Sequence, residues 1–130
     1  MYNNISIPMT NEQKRAFLLL KLVIFNYHGL DEDEKKILAD TAEKIQGVEE
    51  LKWAYDFLGD DFYANLDNAR DFFNLTIGSY DKETKISYLN MVWDATKSKG
   101  YISEMEATGI LKMAKDWGVQ KELLTLIRKQ

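Results

Sequence analysis

The chain contains no cysteine, one proline and one histidine in 130 residues. Without thiols there is no disulfide framework, no thiolate zinc or iron-sulfur site and no cysteine nucleophile. The scarcity of proline rules out collagen-like and proline-rich linker architectures and leaves long segments in which helix can propagate. Long apolar runs are also missing. The longest, FLLLKLVIF at residues 17–25, is interrupted by Lys21, whereas a spanning helix needs about 20 apolar residues. This run therefore reads as a buried core helix, and no membrane insertion is expected. The opening stretch MYNNISIPMTNEQKRAF has no basic region leading into an apolar one, so no signal peptide is read and cytoplasmic residence is the expectation. No Gly-x-Ser-x-Gly elbow, phosphate loop or dinucleotide fingerprint occurs, and catalysis by a known motif is not expected.

What is present is a balanced globular composition, 45% apolar and 29% charged. That is too hydrophobic for intrinsic disorder and suits one compact domain spanning residues 1–130, with residues 1–9 as a loosely ordered tail. Net charge is -4, unevenly spread. The acid-rich part is residues 31–83, and the basic residues of the last third form no stripe interleaved with aromatics, so nucleic acid is not an expected partner.

Start and stop signals divide the chain into about six or seven helices, with no alternating strand pattern. Thr10 with Gln13 makes a capping box that opens a helix running to His28 and Gly29. Asp31 with Glu34 opens a second, carrying Ile37, Leu38, Ala42 and Ile45 to a left-handed cap at Gly47. Leu51, Ala54, Tyr55 and Leu58 mark a third, ended by Gly59. Phe62, Leu66, Ala69, Phe73 and Ile77 mark a fourth, and Asp81 caps a fifth through Ile86, Leu89 and Trp93. Ser103 with Glu106 opens a sixth with Ile110, Met113, Ala114 and Trp117, ended by Gly118. Val119, Leu123, Leu126 and Ile127 suit a seventh. The fold class is an all-α, compact single-domain bundle.

An internal repeat of a helical hairpin emerges when the first two helices are laid over the fifth and sixth. Phe17, Leu18, Leu20 and Leu22 meet Tyr88, Leu89, Met91 and Trp93. After one extra residue in the second copy, Glu34, Leu38, Ala42 and Ile45 meet Glu106, Ile110, Ala114 and Trp117. Two amphipathic hairpins with glycine in the turn can also align this well by composition alone. The two units, NYHGLDEDEKKIL and KSKGYISEMEATGIL, each place glycine, a short hinge and a carboxylate-rich first turn between apolar helices. In this they resemble the tellurite-resistance TerB-like helical family. The resemblance spans roughly residues 14–120. It implies a compact all-α bundle from a bacterial stress-related setting, with acidic surface residues binding a divalent metal. The residue before each turn glycine, acidic in many relatives, is His28 in one unit and Lys99 in the other, and both changes count against metal.

Three chemical readings follow. The metal candidates are Asp31, Glu32, Glu34, Glu104 and Glu106, which would supply oxygens to a calcium or magnesium ion if the two hairpins met face to face. Their simpler role is to complement the positive ends of their helices. A calcium loop around Gly100 is disfavoured, because Lys97 and Lys99 occupy early ligand positions. The partner-surface candidates are Trp53, Phe57, Asp60 and Asp61. Half of the aromatic residues lie between Trp53 and Tyr80, and Trp53 and Phe57 fall on a different face from the Leu51 to Leu58 stripe. The helix is then either wrapped on two sides or presents an apolar patch to another protein. The leading expectation is a non-enzymatic binding module for a protein partner. A divalent-metal protein is second, and an enzyme without a recognisable motif is third.

Overall fold

The computed structural model describes residues 9–26, 30–97 and 104–128. Seven α-helices follow in order: α1 (Asn11–Phe25), α2 (Glu32–Lys44), α3 (Val48–Leu58), α4 (Phe62–Thr76), α5 (Lys82–Lys97), α6 (Glu104–Asp116) and α7 (Gln120–Arg128), with a 3-10 turn at Ile77–Ser79 after α4. The described residues contain no strand. The chain is an all-α bundle, as the periodicity predicts. The hinge glycines Gly29 and Gly100, with His28, Lys99 and Ser103, lie outside the described residues, as do residues 1–8. Met9, assigned from the sequence to the loose tail, packs against the core.

Helix α1 is the centre. Every residue from Ala16 to Phe25 is buried, and α2, α3, α4, α5 and α6 all pack against it. A helix apolar on all sides has to be enclosed on all sides. Its start is fixed as the sequence predicts: Thr10 Oγ1 accepts from Gln13 N at 3.1 Å, and Gln13 Oε1 accepts from Thr10 N at 2.9 Å. The equivalent box on α2 also forms, with Asp31 Oδ1 accepting from Glu34 N at 2.8 Å and Glu34 Oε1 from Asp31 N at 3.2 Å.

The repeat seen in sequence extends over three helices rather than two. After α2, Gly47 N donates to Ala42 O at 2.7 Å and Gln46 N to Glu43 O at 3.2 Å; after α6, Val119 N donates to Ala114 O at 2.9 Å and Gly118 N to Lys115 O at 3.2 Å. Both are Schellman caps on equivalent residues. The next helices begin alike, since Leu51 N donates to Gly47 O and Leu123 N to Val119 O, both at 2.9 Å. Helices α1, α2 and α3 thus correspond to α5, α6 and α7, and α4 has no counterpart. The rings of Phe17 and Tyr88, equivalent residues of the two units, meet with centroids 5.3 Å apart.

Two details differ from the sequence reading. The left-handed residue ending α2 is Gln46, at φ 56, and not Gly47, at φ -122. Periodicity puts the end of the helix near Gly47, but the cap geometry sets the left-handed residue one position earlier. In α3, Tyr55 is 38% exposed, while Ala54 and Leu58 are buried. Tyr55 sits at the margin of the stripe that the spacing assigned it to.

The caps generate a prediction. A left-handed backbone costs a side-chain-bearing residue about 1–2 kcal/mol, so Gln46→Gly is expected to stabilise the protein by about 0.5 kcal/mol or more after the added chain entropy of glycine. Gly118→Ala, at φ 73, is expected to destabilise by about 1 kcal/mol. Urea denaturation of both variants checks the signs.

Candidate interaction surface

Helices α3 and α4 pack on each other and are joined by the short turn at Gly59, Asp60 and Asp61. Gly59 adopts φ 64, and Asn65 Nδ2 donates to Leu58 O at 2.9 Å and to Asp61 O at 3.1 Å, tying the turn closed. Asp61 caps α4 by accepting from Ala64 N at 3.0 Å. This geometry brings Trp53 and Phe57 of α3 against Phe72 of α4. Ring centroids are 5.1 Å apart for Trp53 and Phe57, 5.4 Å for Trp53 and Phe72, and 5.9 Å for Phe57 and Phe72, all tilted. The three rings are half-buried and rest on the core. The guanidinium of Arg15 lies 5.2 Å from the Trp53 ring centre, within cation-π range.

Of the alternatives left open by spacing, the second flank of α3 is therefore covered in part by α4 and in part left facing outward. Next to the rings stands Leu75, 80% exposed and one helical turn beyond Phe72. The sequence reading left Phe72 and Leu75 out of the surface. Leu75 could have been found, since it falls off the Phe62, Leu66, Ala69 and Phe73 stripe of its own helix.

Exposed carboxylates border this apolar patch: Asp56 on α3, Asp60 and Asp61 in the turn, and Asp67 and Asp71 on α4. Among the described residues none of them forms an ion pair, while Arg70 of the same helix is turned away to Asp116 at 2.9 Å. Trp117 Nε1 donates to Asn74 Oδ1 at 3.1 Å, so the inner edge of α4 is fastened to the end of α6 and its outer face is left to solvent.

The metal candidates are distributed differently. Asp31 is exposed and spent on the α2 cap, and Glu32 is exposed and paired with Lys35 at 3.2 Å. Glu104 is exposed, whereas Glu34 and Glu106, equivalent third residues of α2 and α6, are both fully buried. Among the described residues no three Asp, Glu, His or Cys side chains converge, and α2 and α6 pack on α1 rather than extensively on each other.

One buried group was not singled out in the sequence. Lys21, 5% exposed in the middle of α1, donates to Thr41 Oγ1 at 2.6 Å, and that hydroxyl donates on to Ile37 O at 2.8 Å. Its ammonium lies 5.7 Å from the Phe17 ring centre. Burial, and secondarily the charge of Lys44, lowers its pKa from 10.5 to about 8.

No family model matches the chain, and no curated protein or solved structure matches it. None of the helices among the described residues is long and apolar enough to cross a membrane.

The lysine yields a pH prediction. Below about pH 8 the amine is charged in both folded and unfolded chains, and the folded state bears the whole desolvation cost. Between about 8 and 10.5 the unfolded chain binds more protons, so stability rises with pH until both forms are neutral. The displacement corresponds to about 3 kcal/mol. Lys21→Met, which leaves the Thr41 to Ile37 bond intact, is expected to be more stable at pH 7 by about 1–3 kcal/mol. The wild-type protein should recover most of that difference by pH 10.5, as read by urea denaturation across the pH series.

Proposed function

We propose that the protein is a non-enzymatic binding module that engages another protein through the outer face of α3 and α4. The observation that carries this reading is the 80% exposure of Leu75 beside the half-buried rings of Trp53, Phe57 and Phe72. Scattered exposed leucines are ordinary, but a leucine one helical turn from the ring of Phe72, on a helix that also carries exposed carboxylates, has the anatomy of an interface, with an apolar centre and a polar border. The resemblance to TerB-like helical modules agrees with a binding role and rests on the two acidic helix entries.

A divalent cation at those entries is the second reading, favoured by the equivalent burial of Glu34 and Glu106. A calcium ion takes six to eight oxygens, and the exposed neighbours Asp31, Glu32 and Glu104 would have to turn inward to supply them. Isothermal titration with calcium, magnesium, manganese and zinc tests this reading. Heat at one ion with loss in Glu106→Gln supports it, and silence for all four ends it.

For the protein-partner reading, a photoreactive amino acid placed at Leu75 is expected to give a discrete heavier adduct in cells, whereas the same probe at exposed Thr125 on α7 is expected to give none. Absence of an adduct at position 75 would sink the reading. Because Leu75 is so exposed, Leu75→Ser should change stability by less than about 0.5 kcal/mol, while Trp53→Ala should cost about 1–3 kcal/mol through lost ring packing. Thermal unfolding separates the two, and only the first gives a clean test of binding.

A further inference from the structure

We propose that the segment seated on the α3–α4 face is a cationic amphipathic one, with apolar side chains on Leu75 and the three rings and Lys or Arg side chains against Asp56, Asp60, Asp67 and Asp71. This rests on the reading of that face as a docking surface and adds the chemistry of its occupant.

Charge sign decides among occupants. Apart from Arg15 over Trp53, the charges bordering the face are carboxylates that form no ion pair among the described residues, so a nucleic acid, an anionic membrane or a second copy of this face would bring like charges together. A positively charged segment is the occupant that gains from all of them. The rim is also placed against the helices' own stability. Asp56 stands in the last turn of α3, where a carboxylate opposes the helix dipole. Neither helix has a basic residue in its last turn. Of the other five helices, four end on a cation: Lys44, Lys97, Lys115 and Arg128. Asp67 and Asp71 are further spaced four apart, a repulsive arrangement on a helix surface. Charges that disfavour their own helices are relieved when opposite charge arrives from outside.

The aromatic part of the face points the same way. Trp53 already receives the guanidinium of Arg15, which comes from α1, at 5.2 Å, so a ring of this face takes a cation from another element. Arginine on an incoming segment can use the same chemistry at the neighbouring rings, and its methylene stem covers apolar surface while the head reaches a carboxylate.

Three synthetic peptides of about eighteen residues, long enough for a helix, test the proposal. They share one leucine stripe at helical spacing and differ only in the remaining positions, filled by Lys and Arg, by Gln, or by Glu. Each is titrated into isotope-labelled full-length protein. The cationic peptide is expected to bind with the largest shifts at the Trp53 indole, Phe72 and Leu75, and to weaken roughly tenfold or more between about 0.05 and 0.5 M salt. The double variant Asp67→Lys, Asp71→Lys should lose binding roughly tenfold or more, and Asp67→Asn, Asp71→Asn should lose it less but in the same direction. Asp40→Lys with Glu43→Lys on α2 should leave it unchanged. Spectra of the free variants verify that each is folded. Equal binding of the Gln peptide at Leu75 overturns the cationic occupant while leaving the docking face intact. Binding centred elsewhere, loss caused by the α2 variant, or no binding of the cationic peptide also overturns it. An absent adduct from the photoreactive probe at position 75 would remove the docking face itself.

Discussion

The structure depends on enclosing one helix. Ten consecutive residues of α1 are buried, so no single partner helix can satisfy it, and five others close around it. Each apolar side chain sheltered in this way contributes about 1.5–3 kcal/mol, which sets the scale against which every polar exception is measured. Lys21 is the largest exception on that helix. Its counterpart in the second unit is Val92, which is fully buried, so the same environment accepts a plain apolar residue in one copy and holds an amine on a single hydroxyl in the other. The tolerance is local: Thr41 sits opposite because α2 presents it there, and it is also the residue that keeps its own hydrogen bond to Ile37 O.

Much of the architecture was legible because helix punctuation is short-range. Thr10 with Gln13, Asp31 with Glu34 and Asp81 are residues whose side chains reach backbone donors within three positions, and all three caps form as read. The end of α2 was less legible for the same reason in reverse. Glycine marks a place where the left-handed conformation is cheap, not where the chain needs it. The hydrogen bonds from Gln46 and Gly47 back into α2 put the need at Gln46. The seventh helix was readable from Val119, Leu123, Leu126 and Ile127, but its equivalence to α3 was not. Only backbone geometry, not side-chain identity, is shared at Gly47 and Val119.

The candidate surface was half legible. Trp53, Phe57, Asp60 and Asp61 could be placed together from spacing and composition, since they lie within nine positions of each other on one helix and its turn. Phe72 and Leu75 belong to the next helix, and their approach depends on the crossing of α3 with α4, which no local pattern encodes. Tyr55 failed in the opposite sense. Its spacing matches the core stripe, yet the stripe is narrower than the spacing allows, and the ring lies at its edge, where desolvation still raises its pKa and the nearby Lys35 works against that rise. Glu34 and Glu106 looked like surface carboxylates from their acidic surroundings, and both are buried; the Glu34 side chain turns back to accept from Asp31 N.

The position of α4 bears on how the surface came to be free. Within each three-helix unit the helices pack on one another, and α1 also packs on α5 and α6 of the other unit. Helix α4 lies between the units without a counterpart, fastened along one edge by Asn74 to Trp117 and by Arg70 to Asp116. Its other edge meets α3 through the ring of Phe72. What remains is an outer face that no repeated contact has to satisfy. That face can carry Leu75 and the carboxylates Asp67 and Asp71, whose mutual repulsion falls on the outer side of α4 and not on the enclosure of α1. Enclosure and recognition are thus assigned to opposite faces of the same helices, α3 and α4, which is why an unfavourable charge pattern can persist at the outer rim while the core around α1 stays closed.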